Sequence, residues 1–203
     1  MKRKQKDSDL TEKIEDESGK AIRNRYEALG VEGYYRQFGE EYSNPHFQQI
    51  QELIDRNLHR FDLSHALDLC CGAGEVSGVL QKHGHTTTAS DPYTQAAFLE
   101  NIGRTCLSYS FDDIIKGAFG GERFSTIFCS FALHLCDEPK LYPLVHQLLQ
   151  PDNQFVVITP HKRPDLRTVD GVELNWVDFA LTARGKKVHM NAYTLHRSVE
   201  SLD

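Results

Sequence analysis

The sequence predicts an open α/β sheet, mostly parallel and finished by an antiparallel C-terminal hairpin. Three observations predict it. Short apolar runs alternate with stretches of helical periodicity, the pattern of βαβ units. The first clear apolar strand runs into a glycine-containing turn that opens a helix. Near the C-terminus Val188, Met190, Ala192 and Thr194 alternate with His189, Asn191, Tyr193 and Leu195, as in a strand with two unlike faces.

The elements follow in order. From Pro45 a helix is predicted, in which Phe47, Ile50, Ile54 and Leu58 recur at every third or fourth position. Ala66 to Cys70 is a buried strand, and Val76, Val79 and Leu80 continue at helical spacing as far as Gly84. Thr86 to Ser90 reads as a second strand, Gln95 to Ile102 as a helix and Thr105 to Ser110 as a third strand. Phe124 to Phe131 is a fourth strand-like run. Leu141, Leu144, Val145, Leu148 and Leu149 then make a helix face, and Asn153 to Thr159 is a fifth, buried strand. Leu174 to Leu181 is the first arm of the hairpin, separated from the second by the turn-like Thr182-Ala183-Arg184-Gly185-Lys186. Between the fifth strand and the hairpin, Arg163 to Gly171 contains Pro164 and little apolar content, so a helix there is short or missing.

Upstream, residues 1–22 read as a disordered charged tail. Its first 20 residues hold six basic and six acidic side chains and only Met1, Leu10 and Ile14 as apolar ones, too few to offset the entropy of ordering. The basic cluster Lys2-Arg3-Lys4 is followed by those six acids, a pattern of a solvated tail more than of a nucleic-acid contact. From Arg23 onward, Tyr26, Leu29, Val31, Tyr34, Tyr35, Phe38 and Tyr42 are spaced loosely as on a helix.

At 203 residues the chain suffices for one full-sized domain, assigned to 23–203. Apolar runs such as Ile127 to Leu135 are far short of the roughly 18 residues that span a bilayer. No basic-then-apolar leader opens the chain, so neither membrane insertion nor secretion is expected. The formal charge of −6 disfavours non-specific, direct nucleic-acid binding, which depends on Lys and Arg neutralising phosphates. The five cysteines, Cys70, Cys71, Cys106, Cys129 and Cys136, form no Cys-x-x-Cys pair. They read as reduced thiols of a cytoplasmic or nuclear protein with no metal site.

Asp68-Leu69-Cys70-Cys71-Gly72-Ala73-Gly74-Glu75 is the most informative stretch. Gly72 and Gly74 allow close approach of backbone to a ligand, and the helix behind them presents free N–H groups. Asp91 ends the next strand 19 residues beyond Gly72, the usual distance for a carboxylate that receives ribose hydroxyls. Together they describe a nucleoside-binding crevice at the carboxyl ends of a Rossmann-like sheet. A nicotinamide-dependent oxidoreductase is the main alternative. A dinucleotide turn, however, requires Gly-x-Gly-x-x-Gly, and the glycine after Gly74 is Gly78, one residue too late.

The stretch resembles the first motif of the class I, seven-stranded S-adenosyl-L-methionine (SAM)-dependent methyltransferases, acid-x-Gly-x-Gly-x-Gly. The resemblance extends from about Tyr34 to the C-terminus and implies SAM as cofactor. Asp68 matches the acid, Cys70 stands at the first glycine, Gly72 and Gly74 match the other two, and Asp91, with Pro92 after it, matches the ribose acid. Ser110, Phe111 and Asp112 fall where the family contacts adenine, and Ser130 and Phe131 at the fourth-strand motif beside the methyl group. The hairpin matches the family's last two strands. In similar methyltransferases an aromatic N-terminal helix folds over the cofactor, which assigns residues 23–60 to a helical lid. Tyr35 and Tyr42, seven apart, share its face, and tyrosine rings suit a sulfonium neighbour.

His134 follows the fourth strand and is the best-placed general base, while His161, after the fifth strand, reaches the same rim beside Lys162 and Arg163; Tyr42 completes the catalytic candidates. Asn44-Pro45-His46-Phe47 superficially matches the Asn-Pro-Pro-Tyr motif of amino-methylating enzymes, but it lies before the first strand and is discounted. The fourth strand lacks the acid of the Lys-Asp-Lys-Glu ribose methyltransferases. No Pro-Cys pair suggests a cytosine-C5 nucleophile, and no Asp-Asn pair completes a catechol-type metal site. The methyl acceptor expected is a nitrogen or oxygen of a small molecule, a protein or an RNA, the last through a protein partner. A non-catalytic partner subunit of the same fold stays open, although Asp68, Gly72, Gly74 and Asp91 are all present.

Overall fold

The computed structural model describes residues 44–196. The charged tail, the aromatic segment from Tyr26 to Tyr42, and with them Tyr35 and Tyr42, lie outside the described residues. The elements are α1 (Phe47–Asn57), β1 (Ala66–Leu69), α2 (Glu75–Lys82), β2 (Thr87–Ser90), α3 (Gln95–Ile102), α4 (Phe111–Ile115), β3 (Thr126–Ser130), α5 (Glu138–Leu148), β4 (Gln154–Thr159), β5 (Val172–Leu181) and β6 (Lys187–Leu195), with short 3₁₀ turns at Leu58–Arg60, Leu133–Leu135 and Leu166–Thr168.

Six strands form one sheet in the order β2-β1-β3-β4-β6-β5. The first four are mutually parallel, and β6 runs antiparallel to both β4 and β5. The chain leaves β1 toward one side to make β2 and later returns on the other side of β1 to make β3. That reversal puts a crevice at the carboxyl ends of β1 and β3, where open sheets bind their ligands. No described helix is long and apolar enough to cross a membrane.

Burial on both faces explains the near-continuous apolar strands. One face packs Leu67, Leu69, Ile127, Cys129, Phe155 and Val157 against Leu141, Leu144, Val145 and Leu148 of α5. The other packs Phe128, Val156, Ile158 and Met190 against Ile50, Leu53 and Ile54 of α1 and Val76, Val79 and Leu80 of α2. The described part of the expected lid, residues 44–60, is therefore mainly a core helix. Its polar end also fixes the sheet's outer hairpin: Arg56 Nε and Asn57 Nδ2 both donate to Asp178 Oδ2 of β5, at 2.8 and 2.7 Å.

Two expectations are corrected. The third strand expected at Thr105–Ser110 is a single parallel bridge, Ser90 to Leu107. Leu107 N–H donates to Ala89 O and Asp91 N–H to Leu107 O. Leu107 lies beyond β2 at the sheet edge and is 37% exposed, so little apolar burial supports a longer pairing. The sequence reading also passed over α4, a short helix begun by Ser110, whose hydroxyl accepts from Asp113 N–H while the Asp113 carboxylate accepts from Ser110 N–H. The short or missing helix before the hairpin is a 3₁₀ turn, Leu166–Thr168.

Gly74 holds the packing of α2 on α3. A Cβ there would lie 2.4 Å from Ile102 Cγ1 and 3.3 Å from Phe98 Cδ2, and the backbone sits at φ +96°. Gly74→Ala combines overpacking with a left-handed strain and is expected to cost about 2–4 kcal/mol. A urea titration showing an unchanged midpoint would dismiss this account.

Candidate cofactor site

The crevice is built from the turn after β1, the end of β2 and the loop after β3. Cys70, Gly72, Asp91, Pro92, Ser110, Phe111, Ser130 and Phe131, all singled out in the sequence, line one cavity. Asn44, Glu75, Tyr93, Ala132 and Leu135 line it too, and sequence reasoning gave them no role. Glu75 had a readable signal: it is an acid at the first helical position after the glycine turn, where the α2 N-terminus favours negative charge. Leu135 gave none, because its place depends on the 3₁₀ turn after β3.

Asp91 organises the turn. Its Oδ2 accepts Gly72 N–H at 3.2 Å, and its Oδ1 accepts Tyr93 N–H at 2.8 Å and Thr94 N–H at 3.1 Å. The Thr94 hydroxyl returns a bond to Gly72 O at 2.7 Å. Gly72 is at φ 56°, and Cys70, which replaces the family's first glycine, shares the left-handed region at φ 54°. A cysteine there stores strain of about 1–3 kcal/mol. Its thiol is pushed above the usual range, first by the Cys129 side chain and then by burial, so it stays protonated.

Phe131 also has positive φ, 56°, and stacks on His46 with ring centroids 5.0 Å apart. Asn44 N–H donates to Glu75 Oε1 at 3.1 Å, so the segment entering α1 is tied to the crevice rim. Burial raises the Glu75 pKa, against the lowering effect of amide donors from Glu75, Asn44 and Ala73. Glu75 and Asp91 are the titratable carboxylates of the cavity wall, which contains no Lys, Arg or His among the described residues.

Five expected site residues lie off this wall. Gly74 is a packing residue, and Asp112 faces outward in an ion pair with Lys140 at 2.9 Å. His134 and His161 stand together, rings 4.5 Å apart, and His134 lines a neighbouring cleft. Asp68 lies fully buried beneath the turn. A chain of hydrogen bonds ends on it: Arg104 Nη2 donates to Thr87 Oγ1, Thr87 Oγ1 lies 2.7 Å from Ser77 Oγ, and Ser77 Oγ donates to Asp68 Oδ2 at 2.6 Å. Ser77 N–H adds a second bond to Oδ2, while Oδ1 is buried with no partner among the described residues.

Desolvation raises the Asp68 pKa from its usual 3.8 to about 8. The folded protein thus holds this proton more tightly than the unfolded chain. The group's stabilising contribution is full below about pH 4 and is lost as pH rises through about 8. Urea unfolding between pH 5 and 8 is expected to show stability falling with pH, and Asp68→Asn to flatten that slope; an unaltered slope would exclude a neutral Asp68.

No family model matches the chain. An uncharacterized protein of Schizosaccharomyces pombe, C17A5.05c, is 29% identical over 192 residues, covering 72% of this chain and 77% of that protein. Among solved structures, a TehB-like SAM-dependent methyltransferase from Corynebacterium glutamicum superposes with TM-score 0.55 at 18% identity, over 90% of this chain and 98% of that one. The magnesium protoporphyrin IX methyltransferase ChlM of Synechocystis, with bound SAH, gives TM-score 0.56 at 15% identity, over 87% and 99%. The likenesses show a shared fold.

Proposed function

We propose that this chain, which has the fold of the SAM-dependent methyltransferases, binds SAM and transfers its methyl group to a nitrogen or oxygen of an acceptor. The observation that carries the reading is the charge of the crevice. Two carboxylates, Glu75 and Asp91, face a cavity with no cation in its wall among the described residues. SAM bears a sulfonium and an ammonium group; a dinucleotide would bring a pyrophosphate, which such a wall repels. The residues fit the cofactor in other respects. Asp91, on the cavity wall at the end of β2, is able to receive ribose hydroxyls, and Ser110 and Phe111 offer an adenine-side wall.

When bound, SAM supplies an electrophilic methyl on a sulfur that leaves as a neutral thioether. The protein's share is positioning, exclusion of water and, where the acceptor must lose one, removal of a proton. Tyr93, Phe111 and Phe131 provide aromatic walls for the first two tasks. His134 is assigned the third, because it faces the cleft beside the cavity and not the cavity itself, as a base acting on the acceptor requires. Burial, and secondarily the neighbouring His161, lower its pKa from 6.5 to about 4, so it is neutral and able to accept a proton at neutral pH. Burial also lowers the pKa of His161.

Calorimetry with SAM, S-adenosylhomocysteine and NAD tests the reading. SAM is expected to bind and NAD not to. Glu75→Gln is expected to weaken SAM by about 1.5–3 kcal/mol, the range for a hydrogen bond to a charged group. Binding of NAD with SAM excluded would reverse the assignment.

For the base, His134→Ala is expected to lower turnover about 10²–10⁴-fold with SAM affinity kept. The acid limb of the wild-type rate should fall near pH 4, since protonation of His134 removes the base. A loss under about tenfold, or an acid limb at the ordinary histidine pKa of about 6.5 that survives His134→Ala, would leave His134 a structural residue.

A further inference from the structure

The 3₁₀ turn Leu133–Leu135 separates two hollows. Leu135 lines the cofactor cavity, while His134 and Cys136, on either side of it in sequence, line a second cleft of about 530 Å³. That volume lies within the about 300–1,000 Å³ of small-molecule pockets. The remaining wall of the cleft comes from the segment after β4, notably Lys162, Arg163 and Pro164, and from Glu138 and Leu141 of α5.

The charges of the cleft are unevenly compensated. Asp165 is held by Arg167, whose Nε lies 3.0 Å from both carboxylate oxygens and whose Nη2 lies 2.6 Å from Oδ2. Lys140 of α5 is held by Asp112 and Asp137, at 2.9 and 3.3 Å. Lys162 and Arg163 have no ion pair with any described residue. Two adjacent uncompensated cations thus border the cleft, with Glu138 as the opposing charge on its far wall. Among the described residues the two hollows differ in balance: carboxylates without a cation on the cofactor side, and on the other Lys162 and Arg163 against Glu138 once Asp165 is paired with Arg167.

We infer that the cleft is the acceptor site and that it takes a small anionic molecule, held through a carboxylate or phosphate group by Lys162 and Arg163. The inference rests on the methyltransferase reading for the word acceptor. Its physical content is that an anion placed here lies one turn of chain from the site assigned to a cationic donor, so each ligand's charge favours the other's binding. Arg163 offers a planar fork for either oxyanion and Lys162 a point charge. His134 faces the same cleft, so an acceptor hydroxyl or amine presented to it has a neutral imidazole within the wall.

The test uses the full chain with and without S-adenosylhomocysteine, titrated with benzoate and phenyl phosphate, and with benzamide and phenol as their uncharged counterparts. Calorimetry and the imidazole resonances of His134 and His161 report binding. The two acids are expected to bind at least tenfold more tightly than their neutral partners and to shift the His134 resonance. Whichever acid binds better identifies carboxylate or phosphate as the preferred group. Lys162→Ala with Arg163→Ala is expected to remove that preference and leave affinity for S-adenosylhomocysteine within twofold. Equal binding of acids and neutral compounds, or a preference that survives the double substitution, would overturn the inference. Failure of S-adenosylhomocysteine to bind while the acids still do would instead remove the cofactor reading and keep the anion site.

Discussion

A buried carboxylate holds the nucleotide-side half of this fold together. Asp68 terminates the donor chain Arg104, Thr87, Ser77, and in doing so connects β1 to α2, to β2 and to the segment after α3. Each hydroxyl in that chain can donate in the same direction, toward Asp68 Oδ2, so the guanidinium of Arg104 polarises the bonds that reach the acid. The turn from Cys70 to Gly74 stands on this platform. Burial holds the proton on Asp68, so the platform is a neutral acid with one oxygen unpaired among the described residues.

Asp91 performs the complementary task above the turn. Its two oxygens gather three backbone donors, so the acid at the end of β2 is a structural clasp as well as a ligand candidate. Clasping the turn and the ribose role expected from the sequence do not compete, because each carboxylate oxygen has more than one lone pair. Removing it would disturb the turn and the ligand together, whereas Glu75 faces the same cavity and ties only Asn44 from outside its own turn.

Strand and helix order was legible because burial on both faces leaves apolar runs in the sequence, as in Phe155 to Ile158, and because α1 and α5 repeat their apolar residues at helical spacing. Of the eight expected cavity residues, Gly72 and Asp91 were legible because the glycine turn and the acid 19 positions later stand at strand ends, where topology brings them together; Cys70, Pro92, Ser110, Phe111, Ser130 and Phe131 were implied by the family resemblance. What escaped depended on pairing or on irregular turns. Thr105 to Ser110 has the composition of a strand but no covering layer, so only Leu107 pairs. Asn44 and Leu135 reach the cavity through local turns that leave no periodic trace. Gly74 belonged to the motif, yet its contact is with Ile102, a residue 28 positions away whose orientation no spacing rule reports.

The Leu107 bridge has a consequence for motion. The flank of the crevice that leads to Ser110 and Phe111 is attached to the sheet through two backbone bonds at Leu107 and one from Ser90 Oγ to Tyr109 O, while its far side leans on the deeply buried β1 and β3. Regions fastened by few buried contacts open at a small fraction of the global unfolding free energy. The amides of Asp91 and Leu107 are therefore expected to exchange faster than those of β1 and β3, and a nucleoside held against this seam would slow them. Ligand binding and slowed hydrogen exchange along the seam become two readings of one equilibrium.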